Sequence, residues 1–110
     1  MKTQQPVLIT SVVALVDLPR YLFAGFNGAL CAVGAKALGT VQADTEADNV
    51  APVSVLGICL VTAGAAVAAG VEVESDASGR AVTLATGKAN GITMDAATAA
   101  GDVIRIVRGI

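Results

Sequence analysis

Residues 53–83 most constrain the fold, because in this stretch short apolar runs alternate with small-residue turns. An apolar run is followed by an alanine- and glycine-rich turn at residues 65–70 and then by VEVE at residues 71–74. The alternation of valine and glutamate has the period of two that indicates a strand, with both glutamates on its solvent face. Asp76 and Gly79 match the first and fourth positions of a type I turn that sends the chain back. The stretch therefore predicts β structure.

The same small-residue phrase recurs along the chain. Gly57 and Ile58, followed by AAGV at residues 68–71, are echoed by Gly91 and Ile92, followed by AAGDV at residues 99–103. Each echo places a short apolar run before a glycine-bearing turn. Several short strands at close spacing with such turns are typical of small β-rich modules.

Other segments bring the tally to about eight short strands. Residues 7–16 are rich in β-branched residues and predict the first strand, and residues 103–107 predict the last. Asn27 and Gly28 lie between two apolar runs and predict a hairpin whose neighbouring aromatic residues anchor the core. We predict an all-β fold: a small β-sandwich or barrel with at most one-turn helices, such as a turn capped by Asp95.

The chain is expected to form one domain. Residues 1–6 are polar and end in proline, so they are interpreted as a flexible N-terminal arm or an edge segment. Residues 7–110 are then a single β-rich domain, with no linker or second domain visible.

The composition indicates that surface is buried against other chains. The 110 residues are 55% hydrophobic but only 3% aromatic and 15% charged, whereas about a quarter charged is usual for a soluble domain. We expect part of the apolar surface to be covered through self-association, a partner, or both. The net charge of −2, with lysines and arginines scattered singly, provides no basic stripe for phosphates. Nucleic-acid binding is therefore disfavoured.

Two apolar segments are weighed as membrane or export signals. No charge lies between Asp48 and Glu72, but Pro52 and three glycines interrupt that segment, so β structure is favoured over a membrane helix. The run at residues 7–16 has the shape of a signal sequence, but DLPR at residues 17–20 follows it without a small-residue cleavage site. A strand is therefore favoured there too.

Cys31 and Cys59 both lie in apolar sequence and are expected to be buried free thiols that pack as small hydrophobes. A disulfide between them would imply an oxidising compartment, which nothing else in the sequence favours.

No pattern supports catalysis or a metal site. The chain has no histidine, the commonest general base and metal ligand at neutral pH. Asp44, Glu46 and Asp48 resemble the start of a calcium loop, but Asn49 replaces its turn glycine and Val55 replaces its bidentate glutamate. We expect no enzyme activity, no cofactor and no bound metal.

The motifs, taken in order, resemble those of one family. After the hydrophobic first strand they are DLPRY at 17–21, FNGA at 26–29, GAKALG at 34–39, VLG at 55–57, AAVAAG at 65–70, SDASGR at 75–80 and ATAAGDVIRI at 97–106. This order, over nearly the whole chain, resembles the small capsid decoration (cement) proteins of tailed bacteriophages.

The resemblance implies a structural virion protein. Such proteins form β-rich homotrimers, made in the host cytoplasm, that sit on the outer surface of the capsid at three-fold and quasi-three-fold positions. They bind after the shell expands and clamp neighbouring subunits of the major capsid protein. The expected partners are therefore further copies of the chain and the major capsid protein, and the family suggests no catalytic residues.

Two groups of residues are candidates for the capsid interface. The polar N-terminal arm is expected to add an edge strand to capsid subunits by β-augmentation. The adjacent residues Arg20 and Tyr21 are chosen because arginine and tyrosine are common in interfaces, although Tyr21 fits the core at least as well. The candidates are Lys2, Thr3, Gln4, Gln5, Pro6, Arg20 and Tyr21.

Two alternatives remain open. A fibre, spike or adhesin module would contact a cell surface or glycan and would expose aromatic residues for sugar stacking, whereas the three aromatics here are expected to be buried. The second alternative is a small secreted or membrane-anchored protein.

Overall fold

The computed structural model describes residues 4–109 of the chain. Within that range there is no helix, and the secondary structure consists of eight strands. In chain order they are β1 (Gln5–Val13), β2 (Phe23–Ala24), β3 (Gly39–Val41), β4 (Val50–Thr62), β5 (Glu72–Ser75), β6 (Ala81–Thr83), β7 (Gly91–Thr93) and β8 (Val103–Arg108). The prediction of an all-β domain with about eight short strands is confirmed.

All eight strands belong to one antiparallel sheet, in the order β2-β3-β4-β8-β7-β5-β6, with β1 paired to β4. Beyond the end of β4, Ala63 forms a parallel bridge with Ala81, the first residue of β6. The amide of Gly64 also donates to the carbonyl of Ala81 at 2.8 Å. These contacts join β4, β8, β7, β5 and β6 into a ring, which is closer to the predicted barrel than to two stacked sheets.

The larger core cluster fills this ring. In β8, Ile104 and Ile106 are fully buried while Arg105 between them is partly exposed, as the alternation predicts. The cluster draws on both irregular segments and strands, and its members are Phe23, Cys31, Ala37, Cys59, Val61, Ala63, Val67, Val73, Ala81, Ala97, Ile104 and Ile106. The two cysteines are free and buried, as predicted.

A smaller core cluster lies beneath β1 and the first half of β4. Its members are Ala14, Leu18, Ala24, Val41, Ala51 and Val53, and Val12 of β1 packs against them. Ala14 directly follows β1, Leu18 lies four residues further on, and both are fully buried. This cluster therefore fixes the C-terminal end of that strand to the domain.

The repeated phrase forms two equivalent, reciprocally bonded segments. Val67 and Ala97 exchange backbone hydrogen bonds of 3.0 and 2.8 Å. The amide of Gly70 donates to Thr93 at the end of β7, and that of Gly101 donates to Ala63 just after β4, each at 2.8 Å. The alanine segments thus meet at one isolated antiparallel bridge, between Val67 and Ala97, and neither forms a helix.

The expected cap by Asp95 is not formed. Its carboxylate instead accepts hydrogen bonds from the guanidinium of Arg105, with Oδ2 2.9 Å from Nε and Oδ1 2.9 Å from Nη2. The predicted turn at Asp76 is present: the amide of Gly79 donates to its carbonyl at 3.2 Å, and Arg80 pairs with its carboxylate at 3.0 Å.

Glu74 departs from the expected solvent face of β5. Glu72 is exposed, but Glu74 is only 9% exposed. The loop after β6 folds over it, and the amide of Gly87 donates to its Oε2 at 2.7 Å. The alternation in the sequence therefore marks the strand correctly but places this side chain wrongly, because a loop covers the face that would otherwise meet solvent.

Candidate interaction surface

β1 is an edge strand. It pairs with β4 along its length, from Gln5 opposite Ile58 to Val13 opposite Val50. Among the described residues, no backbone hydrogen bond is formed along its other edge. Unpaired backbone groups at a sheet edge are a template for pairing with another chain, so β1 offers a strand-shaped docking site.

The pairing of β1 with β4 shifts twice, near the start of β1. Val7 and Val55 fall between the paired positions, each as an extra residue in its strand. Next to these shifts, Gly57 has φ +102°, and a Cβ on it would lie 2.6 Å from the carbonyl oxygen of Gln5. Only glycine lets the two backbones approach this closely.

Large apolar side chains along β1 and β4 are exposed to solvent. Val7 is 81% exposed, Val13 is 62% exposed, and Val50, which lies opposite Val13, is 64% exposed. Leu8 and Leu56 form another exposed cross-strand pair. We call this surface the apolar ribbon; it comprises Val7, Leu8, Ile9, Val13, Leu15, Val50 and Leu56. No charged residue occurs between Gln5 and Val16.

The Asn27–Gly28 turn supports the C-terminal end of the ribbon. Gly28 has φ +88°, and a Cβ on it would lie 2.1 Å from the carbonyl oxygen of Val13, so the turn sits directly against the strand. The amide of Leu15 donates to the carbonyl of Gly28 at 2.9 Å. The hairpin expected here is small, with one bridge between Ala24 and Leu30.

Phe26, in the same turn, is 69% exposed. The expectation that all three aromatics are buried is therefore wrong. Phe23 is fully buried and Tyr21 partly so, but Phe26 follows the short β2, and its chain segment turns outward before it can reach either core cluster. The exposed ring adds apolar surface to the turn whose Gly28 lies against Val13.

The predicted N-terminal candidates lie at the start of β1. Gln5 and Pro6 belong to the strand, two residues before its predicted start, and Lys2 and Thr3 lie outside the described residues. The Oε1 of Gln4 is buried without a hydrogen-bond partner. An amide oxygen in that position is costly unless a donor reaches it.

The predicted pair Arg20 and Tyr21 forms a separate feature. The guanidinium of Arg20 lies 5.0 Å from the centroid of the Tyr21 ring, within the range of a cation–π contact. The amide of Arg20 donates to Asp44 Oδ1 at 2.8 Å, and Tyr21 adopts φ +64°. No hydrogen bond of the described residues joins this pair to residues 4–6.

Sequence reasoning did not single out Arg108, which fixes the β4 side of this surface. Its Nε donates to the carbonyl of Val55, the extra residue of β4, at 2.8 Å. Its Nη atoms donate to Asn90, Ala37 and Leu38 carbonyls at 2.7, 3.0 and 3.2 Å. Burial lowers the pKa of Arg108. No sequence signal marks it, because its partners are backbone groups far along the chain.

The polar groups near Arg108 have structural roles. An open cavity of about 280 Å³ beside it is also lined by Lys36 and Asn90. The ammonium of Lys36 donates to the Ala89 carbonyl at 2.7 Å, and the amide oxygen of Asn90 accepts from the Ala37 amide at 2.8 Å. These groups close loops onto the sheet, so we do not assign the cavity a ligand.

The remaining titratable groups form no reactive constellation in the range the structure describes. Residues 4–109 contain no group of three or more His, Cys, Asp or Glu side chains placed to hold a metal ion. Burial raises the pKa of both Cys31 and Cys59, which disfavours their reactive thiolate form. In the same range, no helix has the length and apolar character that crossing a bilayer requires. What the surface offers is contact area.

The chain resembles known phage proteins both in sequence and in fold. The family model for phage cement proteins matches residues 24–108. The crystal structure of the N base of the head fiber protein gp8.5 in bacteriophage phi29 is similar in fold, with a TM-score of 0.76 at 18% sequence identity and 93% of each chain covered. No curated protein sequence matches the chain. At that identity the structural likeness shows a shared fold.

Proposed function

The chain belongs to the phage cement protein family, and from this premise we propose that it decorates the outside of a tailed-phage head and stabilises the expanded shell. The observation that carries the proposal is the exposed, uncharged edge strand β1 with its apolar ribbon. A surface of this kind marks a protein-binding site. The family match assigns the chain to phage cement proteins, and the surface offers contact area for the protein chains, whether copies or capsid subunits, that such an assembly brings together.

The proposed assembly is a homotrimer bound at three-fold and quasi-three-fold positions of the head. Three copies of a modest contact, held in a fixed arrangement, bind a symmetric site far more tightly than one copy does. The contact clamps neighbouring subunits of the major capsid protein, so that internal pressure must break several contacts together.

The N-terminal segment is the proposed strand donor to the shell. Gln5 and Pro6 already have strand geometry, and β1 has an open edge beside them. Deleting residues 2–6 should weaken binding to heads while leaving the trimer intact, as measured by co-sedimentation and by solution mass. Unchanged head binding would exclude this role.

A second candidate is the base of a head fibre or of another module that reaches a cell surface. The structural likeness to a head fiber base and the exposed Phe26 favour it. A fibre base would anchor a further projecting part at its site, whereas a cement protein would cover the lattice as a compact unit.

The deciding experiment mixes purified protein with expanded, undecorated heads and images them. Cement function predicts ordered density at every three-fold and quasi-three-fold position and heads that resist heat or chelator treatment better than undecorated ones. Undecorated heads after mixing, or density confined to a few sites, would contradict it. Unexpanded heads serve as the control and should remain bare.

A further inference from the structure

We propose that the apolar ribbon is the surface through which copies of this chain associate with one another before they meet a head. The shell contacts then lie elsewhere on the trimer, including the open edge near residues 4–6. This inference rests on the proposed function and deepens it, because it assigns one of the two partners to a defined surface.

The first argument is the exposed area. Monomeric soluble proteins rarely expose contiguous apolar patches above roughly 300–600 Å². The ribbon comprises seven large apolar residues, each at least a third exposed. These side chains lie on both faces of the edge strand, since Leu8 alternates with Ile9 and Val13, so the ribbon wraps the edge of the sheet. A single copy in water would therefore leave an apolar strand uncovered on both faces, which is surface of the kind that stable protein interfaces bury.

The second argument concerns what protects β1 while the protein is in water. Edge strands that stay exposed usually carry charges, a central proline or a covering loop. In β1 the only proline is Pro6, near its start, and no charge follows until Asp17. A β-branched, uncharged run such as VLITSVV at residues 7–13 is prone to uncontrolled pairing. It needs a cover before a head is available, and another copy is the partner present from synthesis.

The third argument is complementarity. The loop beside the C-terminal end of β1 carries the exposed carboxylates Asp44, Glu46 and Asp48. Packing the ribbon against such a surface would bury unpaired charge, which is costly. The ribbon of another copy supplies an uncharged apolar surface of the same length. Ribbons that meet around a symmetry axis therefore bury apolar area without burying charge.

The test places a carboxylate in the ribbon and measures solution mass in the absence of heads. Val7→Glu and Val13→Glu alter side chains that are 81% and 62% exposed in a single copy, so the fold of each copy should survive. The control is Val33→Glu, at an equally exposed valine (68%) on a loop outside the ribbon. Analytical ultracentrifugation should show oligomers for the wild type and for Val33→Glu. Both ribbon variants should be folded monomers, with association weakened roughly a hundred-fold or more.

A milder variant keeps the test decisive if a carboxylate prevents folding. Val13→Thr preserves shape and strand propensity and should weaken association roughly ten-fold. A wild type that stays monomeric, or ribbon variants that remain oligomeric, would overturn the inference. Variants that stay oligomeric but lose head binding would assign the ribbon to the shell. Dissociation of the ribbon variants, together with no head binding by wild-type oligomers, would uphold the inference and refute the cement function.

Discussion

Arg108 ties β8 to three other segments of the chain through backbone carbonyls alone. Lysine at this position lacks the planar fork, so at least two of the four carbonyls, on Val55, Asn90, Ala37 and Leu38, would lose their donor. Each buried acceptor left unsatisfied costs about 1–3 kcal/mol. We expect Arg108→Lys to lower the free energy of unfolding by about 2–4 kcal/mol, measured from the midpoint of urea denaturation.

The matched control is Arg105→Lys. Arg105 lies three residues earlier on the same strand, but its partner is the partly exposed carboxylate of Asp95. A lysine can still pair with that carboxylate, and solvent screens the interaction. Its urea midpoint should move much less than that of Arg108→Lys. Equal shifts would mean that loss of an arginine from β8, and not loss of the carbonyl contacts, causes the destabilisation.

The two buried thiols give a pH dependence with a definite sign. Burial raises the pKa of Cys31 and Cys59 above the ordinary value of 9.0. The folded chain therefore holds these protons more tightly than the unfolded chain does. Their contribution to stability is complete below pH 9 and is lost as the pH rises from there through the folded-state pKa.

We expect the free energy of unfolding to fall more steeply above about pH 9 in the wild type than in the double variant Cys31→Ala, Cys59→Ala. The variant should be less stable near neutral pH, because its smaller side chains leave cavities. Urea denaturation at several pH values measures both effects. Parallel curves for the two proteins above pH 9 would show that the thiols do not ionise differently in the folded and unfolded states.

At the scale of the element, Gly57 controls how β1 meets β4. Alanine there would combine a φ of +102° with a Cβ 2.6 Å from the Gln5 oxygen and 2.7 Å from the Val7 nitrogen. Gly70 is the matched control, since it also has positive φ, +77°, but its Cβ would meet nothing within 4 Å. Gly70→Ala should cost about 1–2 kcal/mol of backbone strain.

Gly57→Ala should cost roughly 3 kcal/mol or more, because the clash adds to the strain. The loss should be local: the amides of Gln5 and of residues 7–9 should exchange with solvent faster, while those of β8 change less. Hydrogen exchange resolved by residue measures this difference. Similar costs for the two alanine variants, with no local change in β1, would show that the strands can separate slightly without penalty.

The elements that sequence reasoning located correctly are those with their own local signal. The alternation of Ile104, Arg105 and Ile106 reports directly which side chains face the core, and it is confirmed. The signal fails where distant segments decide the outcome. Glu74 is covered by a loop from beyond β6, and the two alanine segments are joined by the bridge between Val67 and Ala97. No local pattern contains those contacts.

For the whole molecule, composition predicts that surface must be covered but not which surface. Only 15% of the residues are charged, which implies that a partner covers part of the surface. The structure shows that exposed apolar side chains lie on β1 and β4. The first strand was predicted from its β-branched residues, yet its position at an edge depends on pairing with residues 50–58. Edge or centre is a property of the sheet, so the sequence of one strand cannot reveal it.

The apolar character of the ribbon sets how association should respond to conditions. No charged residue lies between Gln5 and Val16, so contacts between ribbons involve no ion pairs. Salt therefore has little electrostatic attraction between copies to screen. We expect the dissociation constant of the oligomer to change by less than about three-fold between roughly 0.05 and 0.5 M sodium chloride. Because association stabilises the folded state by mass action, the melting temperature should also rise with protein concentration.

Sedimentation and thermal denaturation over a hundred-fold range of protein concentration, at both salt levels, measure these effects. Val33→Glu should behave as the wild type does, while Val13→Glu should melt at a temperature that does not depend on concentration. Dissociation at high salt would indicate that charged loops, such as the one carrying Asp44, Glu46 and Asp48, hold the copies together. In that case the exposed ribbon would still need a cover, and the phage head would be the partner left to provide it.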